Sequence, residues 1–251
     1  MSPLSAESIL RVWETGRDQH PLDRALTMLL ADGQGRTRDQ LAALPAVRRD
    51  EDLLLLREQT FGPAAEAFVQ CPRCSESLEF TLYAADIRSR IENDHQGPGG
   101  VETEAPLEVV SGDIKVCFRL PDSRDLAAAA GCDDLWDARR LIVRRCVREA
   151  FAAGEPLDID ALPVHALDAA GAQIAQYQQQ AEVLLQLQCP ACKHNWQMMF
   201  DIVSFLWTEI AAEAKRLLRE VHILASAYGW REAEILSLSP LRRQFYLEAV
   251  L

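Results

Sequence analysis

The chain has 251 residues, 49% of them hydrophobic and 25% charged, and a formal net charge of −12. That length can bury a real core without metal or disulfides, and the acidity opposes nucleic-acid binding, which rests on clustered Lys and Arg. No apolar run approaches the ~18 residues of a membrane span, and "MSPLSAESIL" lacks a basic start followed by an apolar stretch.

In chain order, residues 5–16 read as a helix with Ser5 as N-cap and Glu7 in its first turn. His20-Pro21 opens a second helix that Gly33 stops; Leu22, Ala25, Leu26, Leu29 and Leu30 share one face. "GQGRTRD" is a linker, and "RRDEDLLLLREQTFG" is a helix ending at Gly62. "FVQCPRCSESLEFTL" is strand, cysteine turn, strand, with Leu78, Phe80 and Leu82 alternating against Glu79 and Thr81. "NDHQGPGG" (93–100) is a loop, expected to be mobile. "LEVVSGDIKVCFRL" is a hairpin turning at Ser111-Gly112-Asp113.

"PDSRDLAAAAG" opens a helix capped by Asp122 or Ser123. "DLWDARRLIVRRCVREAFAAG" reads as one amphipathic helix as far as Gly154, with Leu135, Ala138, Leu141, Ile142, Arg145, Cys146 and Ala150 in period. "VHALDAAGAQIAQYQQQAE" is helical, and "VLLQLQ" leads as a strand into a second cysteine turn. "NWQMMFD" is a strand. The longest helix, 202–228, follows with Ile210, Leu217, Val221, Leu224 and Tyr228 as its stripe, and Gly229 ends it. "WREAEILSLS" is a short helix. Ser239 caps a last one with Pro240 at its first position.

"VQCPRCSESLEFTL" and "LQCPACKHNWQMMF" are an internal repeat: Cys71 and Cys74 fall on Cys189 and Cys192, and Leu78, Phe80 and Leu82 on Trp196, Met198 and Phe200. Each unit is a knuckle in which two thiolates at i and i+3 converge, and two knuckles complete a tetrahedral four-sulfur site. Such a site is closed to water and substrate, so one structural zinc per chain on Cys71, Cys74, Cys189 and Cys192 is the expectation. A redox pair usually opens a helix, whereas both turns here lead into strands. Seven cysteines, an odd number, also argue against a full disulfide framework. Structural zinc supplies about 10–16 kcal/mol in small peptides. That exceeds the roughly 5 kcal/mol needed to close so long a loop in the chain-entropy picture, so 75–188 can ride as an insertion. His194 reads as a knuckle-tip residue. Cys117, Cys132 and Cys146 read as small buried side chains.

No phosphate-binding glycine loop, H-E-x-x-H, G-x-S-x-G or zinc-deaminase H-x-E is present. Asp133-Asp134 and Asp158/Asp160 sit in capping context. No residue is nominated as catalytic, no small-molecule substrate is indicated, and the expectation is a non-enzyme. In the last fifty residues Trp207, Trp230, Phe245 and Tyr246 serve either as interface anchors or as local core. Arg242 and Arg243 either meet a partner's carboxylates or are solvated. The fold class expected is α+β, mainly α-helical. It comprises an N-terminal helical region (1–66), a four-cysteine zinc ribbon (67–82 plus 183–200), an inserted α+β region (83–182) and a C-terminal helical region (201–251).

Five stretches carry a family resemblance: "HPLDRAL", "LREQTFGPAAEAFVQCPRCSESLEF", "RLPDSRDLAAAAG", "CPACKHNWQMMFDIVSFLW" and "EVHILASAYGWREAEILSLSPLRRQFYLEAVL". On these the chain resembles the T4-type baseplate proteins and baseplate hub assembly chaperones of contractile phage tails and phage-tail-like contractile injection systems. The resemblance implies an assembly or structural protein of the baseplate and supplies no catalytic residues. It also implies hub or wedge proteins as partners, and a place in the cytoplasm during assembly or in the finished particle. The runner-up is a zinc-ribbon nucleic-acid-binding protein, which the net charge disfavours.

Overall fold

The computed structural model describes residues 2–87 and 107–250. The loop expected at 93–100 lies outside them. The protein is mixed α+β and mainly helical, and its contacts group it into two compact units.

The first unit holds residues 1–38, 52–62 and 201–251. Its centre is the long helix, α8 (Ile202–Tyr228), about 40 Å long at 1.5 Å per residue. Helices α1 (Ala6–Gly16) and α2 (Pro21–Leu30) pack on it, with the second part of α4 (Ala46–Phe61) in the same unit. Ser5 caps α1 by accepting the Ser8 N–H, as the sequence predicts, and Asp201 caps α8. Gly229 ends α8 at φ +70°, a left-handed position that costs glycine little. Leu206, Ile210, Ala214 and Leu217 are fully buried, as are Met28, Leu29, Leu53 and Leu56. Arg57 forks onto Glu209 at 2.9 and 2.7 Å and donates to the Gly62 carbonyl. Helices α9 (Glu232–Ser237) and α10 (Pro240–Glu248) close on the end of α8 around Leu224, Ile235 and Leu247.

The second unit holds 39–51 and 63–200. It begins with α3 (Arg38–Ala42), a five-residue helix that starts in the last two residues of the expected linker. Leu41 and Ala42 are buried there, so two adjacent apolar side chains fix a turn too short to show a period. Hairpin β1 (Ala64–Gln70)/β2 (Ser77–Tyr83) follows. An antiparallel sheet then runs in the order β3 (Leu107–Ser111), β4 (Ile114–Phe118), β5 (Val147–Ala152), β6 (Glu155–Pro156). Gly112 takes φ +67° in the expected hairpin turn.

Helices α5 (Ser123–Ala129), α6 (Leu135–Cys146) and α7 (Val164–Ala181) complete this unit, with a second hairpin, β7 (Leu184–Gln188)/β8 (Asn195–Met199). Val116, Phe118, Val143, Cys146, Ala150 and Ala170 lie in the core between the sheet and α6 and α7. The helix expected to reach Gly154 stops at Cys146. Val147 turns extended, and 147–152 pairs with β4. Cys146 and Ala150 are both buried as the helical period requires, but the second is buried by a strand. Sheet pairing overrides a pattern that local spacing cannot tell from helix. Leu135, expected on the buried stripe, is 84% exposed.

Candidate metal centre

The two hairpins belong to separate two-stranded sheets, with no ladder joining them. Their turns match atom for atom. The Cys71 N–H donates to the Glu76 carbonyl at 2.8 Å, and the Cys189 N–H to the His194 carbonyl at 2.9 Å. The Ser75 N–H closes back on the Cys71 carbonyl at 2.8 Å, and the Lys193 N–H on the Cys189 carbonyl at 3.0 Å. Each turn thereby aims two sulfurs at one point. The alternating strand residues then give each hairpin an exposed face and an inner face of half-buried Leu78, Phe80 and Leu82, or Trp196, Met198 and Phe200.

The structure brings the four predicted cysteines together. All four sulfurs lie within 4.8 Å of one another, and this is the one group of three or more Cys, His, Asp or Glu so placed among the described residues. Cys71 Sγ is 3.7 Å from Cys192 Sγ, and Cys74 Sγ is 3.6 Å from Cys189 Sγ. Four sulfurs about 2.3 Å from a tetrahedral zinc would stand roughly 3.8 Å apart, so the donor set fits such an ion. None of the seven cysteines is in a disulfide.

The thiols are electrostatically unequal. The Cys192 N–H, 3.5 Å from Cys189 Sγ, helps hold that thiol down at about 7. At Cys74 the Glu76 N–H pulls the same way. Hydrogen bonding to Cys192 and lost hydration outweigh it and push the thiol up to about 12.

His194 stands outside this group and stacks on Trp196 with ring centroids 6.0 Å apart. Cys117 and Cys146 are buried, and Cys132 is half-buried. Burial and then the Asp125 carboxylate push the Cys146 thiol up to about 12, which makes it unreactive. Asp134 caps α6, and Asp158 caps the turn at Ile159–Ala161, as their context suggests.

At the C-terminus the candidate partner residues separate. Phe245 is 68% exposed and Arg242 is exposed. Trp230 and Tyr246 are half-buried, edge to face at 4.9 Å, with Tyr228 stacked on Trp230 at 4.6 Å. Arg243 corrects the expectation of a surface role: it is 3% exposed, its Nε lies 2.9 Å from Glu220, and its Nη1 donates to the Leu238 carbonyl. Trp207 is local packing, with the Arg24 guanidinium 4.6 Å over its ring. Sequence reasoning misses Asp125, fully buried between Arg119 and Arg145. Its one legible signal is the spacing of Asp122 and Asp125, which form a capping box at α5.

No curated protein and no solved structure matches the chain. Residues 4–207 match a family described as the T4 bacteriophage base plate protein. That span takes in the first four of the five resemblance stretches and both cysteine turns, and ends before the fifth. With most of its length matched in this way, the chain belongs to the T4 bacteriophage base plate protein family.

Proposed function

We propose that this protein is a structural or assembly component of the baseplate of a contractile phage-tail-like injection particle, acting as a hub assembly chaperone or as a resident part. The observation that carries this is the family match over residues 4–207. Its partners are hub or wedge proteins of the same baseplate, and it has no catalytic role. No helix among the described residues is long and apolar enough to cross a membrane.

Within this role Cys71, Cys74, Cys189 and Cys192 hold one structural zinc. What supports this is the pair of matched turns, the 3.6–3.7 Å sulfur spacing and the absence of a disulfide. The ribbon halves 67–82 and 183–200 act as one element, and 83–182 is its insertion. Docking falls to the exposed face of α10, where Leu241 and Phe245 stand one turn apart at 83% and 68% exposure. Removing 239–251 is an unsuitable test, because Leu247 and Arg243 of this segment are buried.

The test is deletion of the gene in a producing cell. Sheath and tube proteins are expected to persist while complete particles become few; normal particles would overturn the reading. Mass spectrometry of purified particles distinguishes a resident part, present in them, from a chaperone, absent from them. Leu241→Ala/Phe245→Ala is expected to stay folded and to lose capture of hub or wedge proteins.

A further inference from the structure

Helix α6 and the strand after it concentrate positive charge in an acidic protein. Five arginines, Arg139, Arg140, Arg144, Arg145 and Arg148, lie within ten residues of a chain whose net charge is −12. Two have structural work. Arg145 Nε lies 2.8 Å from Asp125, and the Arg139 guanidinium lies 3.8 Å from where a Cβ on Gly171 would stand. A cation in the last helical turn also suits the helix dipole, which accounts in part for Arg144.

The remainder have no such explanation. Arg140 and Arg148 are exposed and make no ion pair or hydrogen bond among the described residues. Arg144 meets only Asp160, at 3.8 Å, and Asp160 is 88% exposed. A pair so open to water contributes little. Trp136 is 68% exposed, in front of Arg140 and Arg144 at i, i+4 and i+8. Arg140 and Arg144 share an exposed face with Asp137, three residues before Arg140, and Trp136 stands at the edge of that face toward the buried Val143.

We propose that this face of α6 docks an acidic, amphipathic segment of another protein, whose carboxylates fork onto Arg140 and Arg144 and whose apolar side chain covers Trp136. Arginine and tryptophan are the residues most enriched at the centres of protein interfaces, and arginine matches a carboxylate two bonds at a time. Charge complementarity selects the occupant: a short carboxylate-bearing segment needs only this local patch. A nucleic acid presents a charge about every 1.7 Å and would run on over a surface of the same sign as itself. The inference holds whichever particle the protein helps to build, so its failure leaves the baseplate reading intact.

The probe is a fluorescein-labelled peptide of repeating Glu-Glu-Leu-Leu, titrated with full-length, metal-loaded protein and followed by anisotropy. Binding is expected to weaken about tenfold or more in Arg140→Glu/Arg144→Glu, several-fold in Trp136→Ala, and about tenfold when glutamine replaces glutamate in the peptide. Arg140→Gln/Arg144→Gln, judged folded by circular dichroism and metal content, gives the same direction without reversing charge. Absence of binding by the unsubstituted protein, or binding by both double variants as tight as the unsubstituted protein's, overturns the proposal. So does tighter binding of a labelled DNA duplex. A dimer in sedimentation that Arg140→Glu/Arg144→Glu abolishes would also overturn it, since a second copy would then occupy the face.

Discussion

Ser75 and Lys193 share one backbone conformation, φ +61° and +59°, each one residue beyond the second cysteine of its turn. A left-handed backbone costs a residue with a Cβ roughly 1–2 kcal/mol, and both hairpins accept that cost at the same point. Glycine relieves it but loses more chain entropy on folding, about 0.5–1 kcal/mol. Ser75→Gly and Lys193→Gly are therefore expected to stabilise the protein by up to ~1 kcal/mol each, read as a higher urea midpoint at unchanged slope. Lys193→Val should lower the midpoint.

Elemental analysis of freshly purified protein should find one zinc per chain. Serine in place of Cys71, Cys74, Cys189 or Cys192 removes one of four donors, so each variant should lose metal and unfold at much lower denaturant. Serine in place of Cys117 or Cys132 should keep the metal and cost at most ~1–3 kcal/mol. Two metals per chain, or none with intact disulfides, would count against a single shared site.

Arg242 and Arg243 are neighbours with opposite fates. Arg243→Ala removes one of the two arginines on the buried carboxylate of Glu220, leaving it only Arg216, and should cost about 1–3 kcal/mol. Arg242→Ala, at an exposed position, should stay within ~0.5 kcal/mol. Denaturant melts of the two single variants separate a core ion pair from a solvated arginine.

Asp125 sets an acid limit. Burial raises its pKa, but hydrogen bonds from Arg119, the Asp122 N–H and Arg145 outweigh burial and hold it at about 2, below the ordinary 3.8. A carboxylate depressed by folding contributes its full stability above the unfolded value and loses it as pH falls through the folded one. Stability should therefore drop between about pH 4 and pH 2. Asp125→Asn should flatten that limb and cost on the order of 3 kcal/mol at neutral pH, as seen in urea melts across about pH 2–6.

The parts of this structure that can be read from sequence are those where one residue type has one physical use. Ser5 and Ser239 cap helices, Gly229 ends one, and four cysteines at matched spacing meet at one point. Residues 147–152 mislead because Cys146 and Ala150 satisfy a helical period while the strand partner Val116 lies far away in sequence. Arg243 misleads because a buried arginine is recognisable only through Glu220, on another helix. The cluster around Asp125 escapes for the same reason: its members stand at 119, 125 and 145, and only the fold collects them.

The separation of the two cysteine hairpins along the chain also has a consequence in time. At synthesis rates of about 5–20 residues per second, Cys189 and Cys192 leave the ribosome on the order of ten seconds after Cys71 and Cys74. Through that interval the nascent chain carries the first pair of thiols with no second pair to meet. The first hairpin is thus the partner that waits, and the speed of translation through 75–188 sets how long its sulfurs stay open to oxidants or to another chain's cysteines.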